Sequence, residues 1–306
     1  MTLQPIDSRL RTVAYAASLF TFSLVVIGGI VRITGSGMGC PDWPLCYGQL
    51  IPPFEFHTLI EYVHRLVALL VALTIAGISL FVFLRYRHSK SLVTLTAAVI
   101  FLYLFQAVLG GITVLTGNTP WSVSMHLGNA MLLFGSILVI ATVLTARRDR
   151  EGETNQKARG DFPRMTLLNA AGVFVLILSG SYVVGSGASG ACVAWPLCDS
   201  NLFPADLLQW VHMGHRLVAA VIGIYLVMTC LRARQESTMV ERAGTWLLWL
   251  FIAQVVIGGA NVLLGFPIVL NAMHLALATA VWGLAVVLAS FAQIESGAGW
   301  LGARIR

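Results

Sequence analysis

Along this chain, apolar residues come in long unbroken stretches separated by short polar ones. Eight stretches cover about residues 12–34, 58–84, 91–115, 121–146, 164–184, 206–231, 242–264 and 268–291. Each has about 20 residues or more, enough to cross a hydrocarbon core of roughly 30 Å as a helix. The stretches are apolar all round, without the period-two alternation that the strands of a membrane barrel would show. Lipid offers no partner to an unpaired backbone group, so helices are the elements this pattern predicts. The expected fold is an all-α integral membrane protein with eight transmembrane helices.

Composition agrees. The 306 residues are 58% hydrophobic and 10% charged, where a soluble domain carries about a quarter charged residues. Charge then sets the orientation. With eight spans, one side collects Arg9, Arg11, Arg85, Arg87, Lys90, Arg147, Arg148, Arg150, Lys157, Arg159, Arg164, Arg232, Arg234, Arg242, Arg304 and Arg306. The other side has arginine only at a helix end (Arg32) or within helices (Arg65, Arg216). The positive-inside rule places both termini in the cytoplasm. The net charge of +6 reflects this bias and gives no support to nucleic-acid binding. Arg9 and Arg11 precede the first span as in a signal peptide. That span is longer than a signal core, however, and Val31-Arg32-Ile33-Thr34 offers no small-residue cleavage site, so it reads as retained. No Arg-rich organellar presequence precedes it, which points to a bacterial or archaeal plasma membrane.

The chain repeats itself. "GSGMGCPDWPLC" (Gly35–Cys46) returns as "GSGASGACVAWPLC" (Gly185–Cys198), with the cysteines displaced by 152 positions. His64-Arg65-Leu66-Val67-Ala68 returns as His215-Arg216-Leu217-Val218-Ala219, "LFQAVLGGITVLTG" as "FIAQVVIGGANVLLG", and "SVSMHLGNAM" as "VLNAMHLALA". Spans one to four therefore duplicate spans five to eight. An even number of spans per copy makes the copies parallel repeats. The expected organisation is two tandem parallel four-helix bundles, at 1–150 and 165–306, joined by a cytoplasmic linker at 151–164.

In this orientation Cys40, Cys46, Cys192 and Cys198 lie in loops on the outer face. That compartment is oxidising, so disulfides Cys40–Cys46 and Cys192–Cys198 are the first reading. Zinc is the competing one, although the spacing is unlike a zinc site and His57 is the sole nearby loop histidine. Cys230 reads as a buried thiol.

Of seven histidines, His88 and His57 are unremarkable by position. His64, His126, His215 and His274 fall inside the second, fourth, sixth and eighth spans, all entered from the outside. A lone intramembrane histidine often only ties helices together. Four at matched depth, one pair per repeat, carry more weight, because ionisable groups in a membrane are costly and functional by default. Imidazoles on facing helices are a common means of holding haem iron from both sides. Arg65 and Arg216 each follow such a histidine and suit haem propionates, with snorkelling to the headgroups as the alternative. Glu61 lies one turn before His64, whereas the second copy has His212 there. Glu61 is thus either a chemical group beside one site or a simple ion-pair partner of Arg65.

These residues resemble the haem A synthases of bacteria and mitochondria. The elements in common are "TGSGMGCPDWPLC", "EYVHR" with Glu61, "MHLG" with His126, "HMGHR" and "NAMH", spread from about Ser23 to Leu284. The resemblance implies oxidation of a haem O methyl group to a formyl group, through a hydroxymethyl stage, for terminal oxidase maturation. It implies that the N-terminal half takes substrate haem O between His64 and His126. Haem b would stay in the C-terminal half as cofactor, its iron between His215 and His274. Glu61 would be the catalytic residue. The implied partners are the haem O synthase, an electron donor or acceptor and membrane lipid, with a homo-oligomer left open. The rival reading from the residues alone is a di-haem membrane cytochrome passing electrons between quinone and an outer partner.

Overall fold

A computed structural model describes residues 7–149, 160–199 and 203–297. Within them run eight long helices: α1 (Ser8–Ile33), α2 (Phe56–Arg85), α3 (Lys90–Leu115), α4 (Pro120–Asp149), α5 (Phe162–Gly185), α6 (Leu207–Ala233), α7 (Thr238–Leu263) and α8 (Ile268–Ser296). All eight are long and apolar enough to span a bilayer. The protein is an all-α, multi-pass membrane protein. Among the described residues, β structure amounts to the single bridge Cys46–Gln49.

At the end that carries the termini, the helices outrun the apolar stretches. α1 starts at Ser8 because the Asp7 side chain accepts the Arg9 N–H at 2.9 Å, as an N-cap does. The same carboxylate pairs with Arg85 at the end of α2, at 3.0 Å. α5 starts at Phe162 with Pro163 in its first turn, where a missing N–H costs nothing. The last residues of the expected 151–164 linker are therefore helical. Residues 150–159 of that region, with Arg150, Lys157 and Arg159, and Arg304 and Arg306 near the C-terminus, lie outside the described residues. At the opposite end the odd-numbered helices give way to Gly35, Gly117, Gly187 and Gly265, with φ between 67° and 77°. This left-handed conformation stops a helix and would strain any side chain.

Helix packing closes two rings. α1 meets α2 and α4, and α3 meets α2 and α4; α5 meets α6 and α8, and α7 meets α6 and α8. α4 and α8 pack on each other between the rings. Most of α4 and over half of α8 are buried, whereas each of the other six helices buries under a third of its apolar window. The outer helices instead turn Leu19, Leu69, Leu73, Phe101 and Leu217 outward, which suits lipid and not water.

The α4–α8 seam is reciprocal. Trp282 lies against Gly135, its ring 3.2 Å from where a Cβ would stand, and Phe134 lies against Gly283 at 3.0 Å. Phe134-Gly135 and Trp282-Gly283 are repeat equivalents, so each aromatic fills the gap left by the other copy's glycine. The indole N–H of Trp282 donates to the Met131 carbonyl at 2.8 Å, buried between the helices. Trp282→Phe removes this bond and shortens the ring that packs on Gly135. It should lower stability by at least about 0.6 kcal/mol, the average for side-chain hydrogen bonds within membranes, with lost packing adding to it. A thermal melt in detergent would register that as a lower midpoint; an unchanged midpoint would show that the seam does not depend on the bond.

Candidate functional site

All four membrane histidines sit near the loop-bearing ends of the even-numbered helices. His64 and His215 lie eight residues into α2 and α6, and His126 and His274 six residues into α4 and α8. At 1.5 Å per residue this is about 9–12 Å from the helix starts. Each imidazole rests edge-on against a glycine of the preceding helix. A Cβ at Gly28 would stand 3.1 Å from His64 Cε1, at Gly110 3.3 Å from His126, at Gly180 3.2 Å from His215, and at Gly258 3.0 Å from His274. A side chain at any of these positions would press on the ring, which would have to give way slightly. The four glycines obey the same repeat as the histidines.

The rings have distinct partners. Ser179 Oγ lies 2.8 Å from His215 Nδ1. Nδ1 of His64, His126 and His274 is buried without a hydrogen-bond partner. The amide nitrogen of Gln106 faces His126 Nε2 at 3.1 Å, and that of Gln254 faces His274 Nε2 at 3.3 Å. In the first half Asn129 donates to Gln106 Oε1 at 2.6 Å. Leu277 occupies the corresponding place in the second half, where Gln254 Oε1 is unpartnered. These glutamines stand in the repeated "LFQAVLGG" and "FIAQVVIGG" segments, so the repetition was the signal that could have singled them out.

Side-chain-free cradles and partly accessible rings fit a flat group held by histidine nitrogens. Among the described residues no three His, Cys, Asp or Glu side chains gather as ligands for a bare ion. A metal bound here would bring further ligands of its own, as haem iron does.

Both cysteine loops are closed by disulfides, Cys40–Cys46 and Cys192–Cys198. Each loop is clamped from below by the arginine that follows a histidine. Arg65 Nη1 donates to the carbonyls of Asp42 at 2.9 Å and Leu45 at 2.5 Å. Arg216 Nη1 donates to Ala194 at 2.9 Å, Leu197 at 2.8 Å and Pro196 at 3.0 Å. The loop tryptophans reach the helices that cradle the second histidine of each pair. Trp43 lies 3.3 Å from a Cβ at Gly111, and Trp195 3.2 Å from one at Gly259. Backbone N–H groups of Gly48 and Tyr47 donate to Asp42 and hold its carboxyl below the usual carboxylate value. His57 serves the turn before the loop, its Nδ1 2.9 Å from Ser36 Oγ. His88 lies at the other end of the bundle beside Arg87, and Cys230 is a buried free thiol.

The copies differ beneath the loop. Glu61 is buried, accepts the Cys40 N–H at 2.9 Å and pairs with Arg65 at 2.6 Å. One carboxylate thus links the first disulfide loop to the helix carrying His64. In the second half His212 fills that slot, with Nδ1 3.1 Å from the Ala188 carbonyl and Nε2 3.4 Å from Arg216.

A family model described as cytochrome oxidase assembly protein (COX15-CtaA) matches residues 11–57 and 53–286. The chain belongs to this family. Among its relatives is the haem A synthase of Geobacillus thermodenitrificans, 31% identical over 276 residues that cover 86% of each chain. The haem A synthase of Exiguobacterium sp. (strain ATCC BAA-1283 / AT1b) is 29% identical over 85% of this chain and 86% of its own. That of Staphylococcus aureus (strain bovine RF122 / ET3-1) is 25% identical over 90% of this chain and 92% of its own. The match to the cytochrome oxidase assembly family spans both halves, including all four histidines, both disulfide loops and Glu61.

The clamp is open to a direct test. A charge-assisted hydrogen bond contributes about 1.5–3 kcal/mol. Arg65→Ala should therefore speed reduction of Cys40–Cys46 by about tenfold or more, followed by maleimide labelling and peptide mass analysis. Cys192–Cys198 in the same molecules should keep its rate. Equal rates for both disulfides in wild type and variant would contradict the clamp.

Proposed function

We propose that this protein is an enzyme, a haem A synthase, which oxidises a methyl group of haem O to a formyl group in two stages through a hydroxymethyl group. Each stage takes one oxygen atom from water and gives up two electrons and two protons, and the hydrated aldehyde formed in the second stage loses water. The observation that carries the reading is two glycine-cradled histidine pairs at similar depth, with the buried carboxylate of Glu61 beside the first where His212 stands beside the second. The N-terminal pair, His64 and His126, takes substrate haem O, and the C-terminal pair, His215 and His274, holds haem b. Haem b, when bound, supplies one-electron transfer, and the protein supplies placement.

The loop-bearing end faces outward and both termini face the cytoplasm of a bacterial cell, in keeping with the basic residues near the ends of α2, α4 and α6. Glu61 is the acid–base and electrostatic group of the first site. Its carboxylate lies one turn from His64, where it can accept a proton or stabilise positive charge at the carbon being oxidised. Arg65 and Arg216 share two tasks, clamping the loops and meeting haem propionates. A di-haem electron carrier would need the same histidines but has no use for Glu61, which favours the synthase. The substrate arrives from the enzyme that makes haem O, and the electrons leave to a membrane acceptor.

Two experiments test this. Cells expressing the protein together with a source of haem O should yield hydroxymethyl and formyl haem on extraction. Their absence, with haem spectra intact, would overturn the synthase reading. Glu61→Ala should abolish turnover while leaving haem content largely unchanged; retained turnover would reduce Glu61 to a structural partner of Arg65.

A further inference from the structure

The hydroxyl of Ser179 on α5 makes two contacts at once. It lies 2.7 Å from the Leu176 carbonyl one turn earlier and 2.8 Å from His215 Nδ1 on α6. A serine has one proton to give. The Leu176 carbonyl can only accept, so at 2.7 Å the hydroxyl proton points there, since the reverse would set two lone pairs against each other. Ser179 Oγ is then the acceptor for His215, and the imidazole carries its proton on Nδ1. The lone pair of His215 lies on Nε2, ready for a metal. Ser179 relays a backbone carbonyl to the imidazole and locks its tautomer.

The first half lacks this relay. Ile27 stands in the place of Ser179, and Leu24 in that of Leu176. His64 Nδ1 is buried and makes no hydrogen bond of normal geometry. Gly28 and Gly180 hold the two rings at nearly the same distance, 3.1 and 3.2 Å. The copies therefore share the cradle and differ in the partner of Nδ1.

We propose that Ser179 is a positioning residue that makes His215 a strong, retaining ligand, and that Ile27 in the same slot leaves His64 a weaker ligand suited to a substrate that must depart. An acceptor on the distal ring nitrogen raises the basicity of the ligating nitrogen and fixes the ring, and losing such a partner typically costs about 10–100-fold in metal affinity. A bound cofactor needs that grip; a haem that enters, reacts and leaves is hindered by it. This inference rests on the reading of the histidine pairs as haem ligands.

The test uses full-length protein loaded with haem b in detergent, with excess apomyoglobin as haem acceptor. Ser179→Ala should speed loss of low-spin haem b by about tenfold or more and raise its midpoint potential, because a less basic imidazole stabilises ferric iron less. Ser179→Thr keeps a hydroxyl and should restore both values towards wild type. Ile27→Ser, in protein loaded with haem O, should slow haem O loss. His215→Ala is the control for the underlying reading. If it removes the low-spin spectrum while Ser179→Ala changes neither loss rate nor potential, the inference is wrong and the ligand assignment stands. Failure of Ser179→Thr to restore the values would likewise contradict it. If His215→Ala leaves the spectrum intact, the ligand assignment itself falls.

Discussion

An imidazole inside a tight helical bundle needs room, and a neighbouring helix can yield it only where it carries no side chain. Everything at the site depends on that constraint being met four times. Gly28, Gly110, Gly180 and Gly258 each lie 3.0–3.3 Å, measured from a Cβ they lack, from the ring of one histidine. Packed interiors transmit even a methyl-sized change. The glycines therefore set ring position, which no hydrogen bond does for His64 Nδ1. The loops are built on the same frame, since Trp43 and Trp195 rest on Gly111 and Gly259, one residue beyond two of the cradles.

Duplication supplied two similar frames, and three differences between them fall close to the histidines. Glu61 ties the first loop to α2 through the Cys40 N–H, whereas His212 takes that slot in the second half. Asn129 steadies Gln106 in the first half, while Gln254 lacks such a partner. Ser179 locks His215, and Ile27 leaves His64 without a relay. The clamps, cradles and disulfides are alike in both copies. Divergence has kept these shared supports and changed groups around the imidazoles. Two copies with separate tasks would differ in this way.

Much of this was legible in the residues. Eight apolar stretches became eight helices because lipid permits little else. The repeated His-Arg pairs and cysteine loops appear where their spacing placed them. Other features were not legible, for physical reasons. Helix ends depend on caps such as Asp7 and on Pro163, which hydropathy does not register. The contact of Arg65 and Arg216 with loop carbonyls depends on how the disulfide loops fold back over the helix starts, and no residue pattern specifies a carbonyl's direction. Gln106 and Gln254 were visible in the repeat, but as polar residues in apolar helices they gave no hint of which group they face. Ser179 was hidden most completely, since its counterpart is isoleucine and repetition could not mark it.

The central claim is that the two histidine pairs hold haems with different fates. It is tested most directly by purifying a His64→Ala/His126→Ala double variant from cells that make both haem b and haem O, then identifying the extracted haems by mass spectrometry. The account predicts protein that retains haem b with an intact low-spin spectrum and contains neither haem O nor its oxidised products. Loss of haem b, or continued presence of haem O or formyl haem in that variant, would contradict it.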